Sequence, residues 1–341
     1  MNVLVTGTDG YIGVLLAPLL LERGHDVVGL DTGLYRDGWL YDPGVGRFPL
    51  YLNKDIRHIT EQDLKGFEAV VHLAELSNDP LGQHNPRVTY DINHLGTVTL
   101  ARICKRVGIT RFVYTSSCSV YGAGSDDHRT EESETNPQTA YAHCKVLVER
   151  DLGPMADDSF SPTFLRNATA YGPSPRMRFD LVLNNLAGLA WTRREIRMTS
   201  DGTPWRPLVH VLDICEAIAC CLDAPRDIVH NQIFNVGDNN ENYQVKEIAE
   251  IVARTFPGCK LTLGANNGDN RSYRVSFDKI HAKLPGFRCR NTALSGATQL
   301  HDIFERIGMT RETFEFRAFT RLNQLKYLID TQRIDDDFIW R

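Results

Sequence analysis

The chain opens MNVLVTGTDGYIG, an apolar run (Val3, Leu4, Val5) that meets Gly7, Gly10 and Gly13 and then a helical segment. No other stretch limits the fold so strongly. Glycine at these positions permits a tight turn after a strand, close approach of backbone to a phosphate, and tight packing of helix on strand. The helix N-terminus adds free N–H groups and the positive end of its dipole. The turn is therefore a site for the pyrophosphate of a dinucleotide. The helical pattern from Ile12 to Arg23 is followed by Gly24 and a second strand, residues 26–30, which ends at Asp31. A carboxylate there accepts both adenosine ribose hydroxyls and repels a 2′-phosphate, so the expected cofactor is NAD rather than NADP.

From residue 1 to about 170, β-branched runs alternate with amphipathic helical stretches, the signature of a parallel sheet covered on both faces. Strands are predicted at 2–6, 26–30, 69–73, 111–116 and 162–166, with helices over Asp91 to Val107 and Tyr141 to Leu152. The expected fold class is α/β: a Rossmann-like, doubly wound parallel sheet with a smaller C-terminal lobe. The NAD-binding domain is placed at 1–172, with some later segments returning to it, and the substrate lobe and C-terminal extension at 173–341. Within the lobe the pattern predicts a helix near 212–223, a strand at 232–236 and a helix at 244–255, followed by an irregular C-terminal region.

A length of 341 residues, 42% of them hydrophobic, suffices for one large or two modest domains with a full core. The formal net charge of −5, with acids and bases interspersed, argues against nucleic acid as the main partner. There is no 18-residue apolar run and no signal-peptide pattern, so a soluble, cytoplasmic protein without membrane contact is expected. The eight cysteines, at 104, 118, 144, 215, 220, 221, 259 and 289, lack C-x-x-C spacing and read as reduced thiols, with no zinc or other metal site.

Chemistry enters with Thr115-Ser-Ser-Cys-Ser-Val-Tyr-Gly122 at a strand end and Tyr141-Ala-His-Cys-Lys145 on a helix. Residues four apart share a helix face, so the Lys145 ammonium sits beneath the Tyr141 hydroxyl and favours its ionised form. A phenol of ordinary pKa about 10 then serves as a base near neutral pH. Ser117 orients the same substrate oxygen, and the group as a whole removes a proton from an alcohol as hydride leaves its carbon.

These motifs resemble those of the extended short-chain dehydrogenases/reductases of the NAD-dependent nucleotide-sugar epimerase/dehydratase family, over roughly residues 1 to 290. The T-G-x-x-G-x-x-G turn matches Gly7, Gly10 and Gly13, the Asp-Ile pair near adenine matches Asp55 and Ile56, and the Asn of the helix after H-L-A matches Asn93. S-S-x-x-V-Y-G falls on Ser116 to Gly122 and Y-x-x-x-K on Tyr141 and Lys145. The resemblance implies Ser117, Tyr141 and Lys145 as catalytic residues. For the cofactor it implies Tyr11, Ile12, Leu73, Ala74 and Ser116 in addition to the glycines, Asp31, Asp55, Ile56, Asn93, Tyr141 and Lys145. In the C-terminal half the N-N-L segment falls on Asn184-Asn185-Leu186, and the phosphate-binding Arg of R-x-x-V-H-V-x-D falls on Arg206. The implied substrate contacts are Ser77, Asn78, Cys118, Ser119, Asn167, Thr169, Asn185, Arg206 and Arg271. Arg206 reads alternatively as a solvated loop charge. The resemblance further implies a homodimer built from helices around 92–107 and 141–152.

The chain departs from the family at several points. Where dehydratases of the family carry Asp and Glu it has Cys118 and Ser119, which disfavours a 4,6-dehydratase; Cys118 reads as packing. Thr169 stands where an Asn is usual, and Glu75 where a small residue is usual. Glu75 and the Ser77-Asn78-Asp79 loop either read sugar hydroxyls or cap a loop. The leading expectation is an NAD-dependent epimerase of a nucleotide-diphosphate sugar, most simply at C4. The alternative is a reductase or dehydrogenase of a nucleotide-linked keto sugar with net redox turnover. No motif assigns the last 50 residues.

Overall fold

The computed structural model describes residues 1–44, 48–77, 79–122, 128–265 and 272–341, with backbone alone at Leu81. Seven strands among them form one parallel sheet: β1 (Asn2–Thr6), β2 (Asp26–Asp31), β3 (Leu50–Asn53), β4 (Ala69–His72), β5 (Arg111–Ser117), β6 (Ser161–Asn167) and β7 (Gln232–Val236), in the order β7-β6-β5-β4-β1-β2-β3. Both faces are covered. Val3 and Val5 of β1 pack with Leu16 and Leu20 of α1 (Gly13–Glu22) on one side, while Leu4 between them joins a second cluster on the other. That second layer contains α2 (Thr97–Val107) and α3 (Ala140–Leu152), and Leu4, Leu100 and Val148 are fully buried within it. Each such aliphatic side chain contributes roughly 1.5–3 kcal/mol on burial.

The expected strands and helices are present with shifts at their ends. The stretch expected as one helix from Asp91 begins with a π-turn, Asp91–Gly96, before α2. β3 was not expected: three of its four residues are Leu, Tyr and Leu, but it is an exposed edge strand without apolar alternation to mark it.

Beyond residue 172 the chain forms α4 (Val182–Arg193), α5 (Val211–Asp223), α6 (Val245–Thr255), α7 (Ala293–Arg306) and α8 (Arg321–Asp330). α5 packs on the main sheet and β7 extends it. A third core, with Leu183, Ile248, Val252, Leu300 and Phe304, joins α4, α6 and α7. A small sheet lies beside it, with Thr169–Tyr171 parallel to Trp205–His210, which pairs antiparallel to Asn242–Gln244. The C-terminal region is not irregular. α8 returns to the main domain, where Leu325 and Leu328 join the cluster beneath β1 and β4. No helix of the described residues is long and apolar enough to cross a membrane.

The chain leaves β1 for β2 on one side, and β4 lies on the other, so a crevice opens at their carboxyl ends, where ligands of such sheets bind. Gly7 occupies that crevice with φ +80°, and a Cβ there would stand 2.8 Å from the Ala74 nitrogen. Only glycine suits both the dihedral and the space.

Candidate active site

The crevice widens into a cavity of about 590 Å³, within the range of small-molecule sites. Its floor is the glycine turn. The Gly7 N–H donates to the Leu30 carbonyl at 2.7 Å, and a Cβ on Gly13 would lie 2.2 Å from the Gly7 oxygen, so α1 starts as close to β1 as backbone allows. Tyr11 and Ile12 line the same wall; the Tyr11 hydroxyl donates to the Gly172 carbonyl at 2.6 Å and ties the turn to the lobe. At the end of β2 the Asp31 carboxylate accepts N–H bonds from Asp9 at 3.0 Å and Gly33 at 2.8 Å. Burial, then the neighbouring Asp9, pushes the Asp31 carboxyl up to about 6. A glycine cradle that any Cβ would fill, facing a helix N-terminus and ending at a carboxylate, fits a dinucleotide.

Asp55, Ile56, Leu73, Ala74 and Ser116 line the cavity as expected. Asp55 is held by Arg57 through Nε at 3.0 Å and Nη2 at 2.8 Å. Asn93 does not line it. Fully buried, its amide accepts from the Leu76 nitrogen at 2.9 Å and donates to the Leu76 carbonyl at 3.0 Å. In this position it pins the loop after β4, which carries Ala74, Glu75 and Ser77.

Ser117, Tyr141 and Lys145 converge in this cavity. α3 is capped by Thr139, whose hydroxyl accepts the Ala142 N–H at 3.2 Å and donates to Asp79 at 2.6 Å. The cap aims the first turn of α3, and hence Tyr141, into the cavity. Ser117 hydrogen-bonds the Tyr141 hydroxyl and accepts the Ser119 N–H at 3.1 Å. Lys145 lies one turn deeper, with its ammonium 4.6 Å from the Tyr114 ring centroid and 5.3 Å from that of Tyr141. It donates to the Thr115 carbonyl and to Glu75.

Glu75 therefore neither reads the outer cavity nor caps a loop. Its carboxylate is ion-paired to Lys145 with both side chains 3% exposed, and it accepts the Tyr114 hydroxyl at 2.7 Å. Burial raises its carboxyl, and Lys145 offsets part of the rise. Burial pulls the Lys145 ammonium down, and Glu75 together with Tyr141 and Cys144 more than offsets this, so Lys145 holds its proton above the ordinary lysine range. The effect on Tyr141 is opposite to the sequence expectation. Burial drives its phenol up, Lys145 pulls it down, and Glu75 and Asp79 push it up again, leaving it above its ordinary value. Sequence spacing predicts the cation beneath the phenol but does not reveal the anion beside the cation.

On the substrate side, Ser77, Ser119, Asn167, Thr169 and Arg206 line the cavity. Among the described residues the buried Ser119 Oγ and Asn167 Oδ1 have no hydrogen-bond partner. Cys118 packs as expected, buried with its thiol on the Arg166 carbonyl, although it opens the short 3-10 turn after β5 rather than lying on the strand. Asn185 is turned away: its amide donates to the Phe179 carbonyl at 2.9 Å and holds the entry to α4. Asn78 and Arg271 lie outside the described residues. Two arginines were missed. Arg178, bidentate to Asp180 at 3.0 and 2.9 Å, also donates to the Ser77 hydroxyl at 3.1 Å, and Arg321 of α8 lies over the Tyr35 ring at 4.1 Å. Both line the cavity. Neither sits in a motif, and only the fold brings residues 178 and 321 beside β1 and β4.

A model of the NAD dependent epimerase/dehydratase family matches residues 3–237. A UDP-glucose 4-epimerase of Corynebacterium glutamicum is 30% identical over 269 residues, 74% of this chain and 79% of that protein. Among solved structures, MoeE5 in complex with UDP-glucose and NAD is 28% identical with a TM-score of 0.76, covering 91% of this chain and all of that one. The fold is also that of the dTDP-glucose 4,6-dehydratase DesIV from Streptomyces venezuelae, at 23% identity and a TM-score of 0.80, over 92% of this chain and all of that one.

Proposed function

This chain belongs to the NAD-dependent epimerase/dehydratase family, within the extended short-chain dehydrogenases/reductases, and we propose that it inverts a carbon, most simply C4, of a nucleotide-diphosphate sugar. The observation that carries the reading is the convergence of Ser117, Tyr141 and Lys145 with the glycine turn and Asp31 in one cavity that has no carboxylate at 118 or 119. An elimination needs an acid and a base beside the sugar, and at the strand end this chain offers a buried thiol and a serine.

Gly7, Gly10, Gly13 and Asp31 would hold NAD, which supplies a hydride acceptor that can also return hydride. Tyr141 takes the proton of the sugar hydroxyl and later gives it back. Ser117 orients that oxygen, and Lys145 stabilises the phenolate during the transfer. Arg206, which lines the cavity, would meet the pyrophosphate of the substrate, a pairing suited to a guanidinium. Ser119 and Asn167 carry the unpartnered oxygens that sugar hydroxyls would satisfy. The same reading includes association of two copies through α2 and α3. The eight free thiols support a cytoplasmic setting.

The test begins with mass spectrometry of the purified protein after gentle denaturation, followed by incubation of the protein with UDP- and dTDP-hexoses and chromatographic separation of epimers. Stoichiometric NAD and an epimer formed without added cofactor are expected. An empty site, with turnover only on continuous supply of NAD(H), would move the assignment to a keto-sugar oxidoreductase.

A further inference from the structure

We propose that Glu75 is a positioning residue of the catalytic group: it holds the Lys145 ammonium in a buried ion pair and so sets the charge that Tyr141 experiences when it exchanges a proton with substrate. The inference rests on the reading of Tyr141 as the acid–base group and adds a fourth member to Ser117, Tyr141 and Lys145.

The geometry is specific. Glu75 follows β4, Lys145 is on α3 and Tyr114 is on β5, so three separate elements bring their side chains to one point. The Glu75 carboxylate spends one oxygen on the Tyr114 hydroxyl, at 2.7 Å, and the other on Lys145. The loop bearing Glu75 is itself clamped by Asn93 through both backbone groups of Leu76. An ion pair this deeply buried is costly unless its geometry and hydrogen bonds are complete, and breaking it by removing one partner leaves a buried charge unmatched. Here the set is complete: the ammonium has the Thr115 carbonyl and the Tyr114 ring besides the carboxylate.

The consequence falls on Tyr141. The charged and titratable groups around it are Lys145 on its own helix, Glu75 after β4, Asp79 in the following helical turn, Tyr114 on β5 and Arg178 from the segment before α4. Lysine alone would stabilise the phenolate. With its charge matched by Glu75 and with Asp79 nearby, Lys145 lowers the phenol less than it would alone, so Glu75 sets the pH above which the phenolate that takes the substrate's proton is formed. Removing the Glu75 charge while keeping its shape should release the lysine's pull.

Tyrosinate absorbance against pH, taken as wild type minus Tyr141→Phe, reads this group without any sugar. In wild type the midpoint is expected at or above the ordinary phenol value of about 10; a midpoint clearly below it overturns the proposal without recourse to any Glu75 variant. In Glu75→Gln, which keeps the Tyr114 bond, the midpoint is expected to fall by about one pH unit or more, and Glu75→Ala should move it in the same direction. The rising limb of kcat/KM against pH should shift by the same amount. A role in folding alone would lower the melting temperature and leave the midpoint in place, and that result would also refute the proposal. Failure of the wild-type protein to epimerise any sugar, with the titration shifted as stated in the variants, would count against the epimerase reading and not against this one.

Discussion

Asp31 shows how a single side chain couples recognition to pH. Its carboxyl is raised to about 6, chiefly by burial and then by Asp9, while Arg321 pulls it down. An acid raised in the folded state binds its proton more tightly than in the unfolded chain, so it lends stability at low pH that is lost as pH climbs from the ordinary carboxyl value through 6. In the proposed site, ribose hydroxyls would donate to the ionised form. NAD affinity is therefore expected to fall by up to roughly tenfold per pH unit below 6, by calorimetry between pH 5 and 7.5, with Arg36, Arg176 and Asp9 as the other charges at that end. Asp31→Asn should flatten the profile and narrow the preference over NADP, and an unaltered profile would remove Asp31 from ribose recognition. Tyr141→Phe is expected to lower turnover by about 10²–10⁴ while NAD binding persists; near-normal turnover would refute its role. Asp31 and Tyr141 were legible because each sits in a contiguous pattern. Glu75 was visible only as a departure from its family, and Arg178 and Arg321 not at all, because their partners are distant in sequence.

At the scale of elements, the alternation of strand and helix through β6 was readable because a parallel sheet buried on both faces demands unbroken apolar runs. Leu4, Val70 and Val71 are fully buried. The glycine turn was readable for the same reason, that sterics leave no alternative. A Cβ on Gly13 would stand 2.6 Å from the Thr8 Cα as well as 2.2 Å from the Gly7 oxygen, so α1 would have to move off β1. Gly13→Ala is expected to cost about 1–3 kcal/mol in chemical denaturation and to abolish NAD binding. A variant of wild-type stability that still binds NAD would show that the turn tolerates a displaced helix. What periodicity missed was the π-turn at Asp91–Gly96 and the role of Asn93 within it. The extra residue of a π-turn is invisible to a 3.6-residue pattern, yet it is where the Asn93 amide meets Leu76.

The whole molecule is closed by its last 25 residues, for which no motif gave a role. After leaving the third core at α7, the chain returns as α8 and runs along the adenosine end of the crevice. Arg317 pairs with Asp37 at 2.6 Å, Gln324 donates to the Leu34 carbonyl at 3.1 Å, and Arg57 reaches the Asp337 carbonyl at 2.8 Å. The Trp340 indole donates to the Thr32 carbonyl at 2.7 Å, next to Asp31. Phe338, buried and in left-handed backbone at φ +62°, lines the cavity together with Asp55 and Ile56. A residue forced into that conformation stays only where its surroundings hold it, so the strap is anchored rather than loosely draped. An anchored strap over the adenosine end of the proposed NAD site would slow release, as the proposed recycling of NAD within each turnover requires. Phe338→Ala is expected to lose about 3 kcal/mol of stability, as large-to-small core changes do, and NAD added to the variant should recover part of it through linkage. Stopped-flow displacement should show NAD leaving the variant at least several-fold faster, with the chemistry at Tyr141 untouched. A variant equally destabilised but with an unchanged release rate would reduce the strap to a packing element, and retention of NAD would then have to come from the glycine turn and the lobe alone.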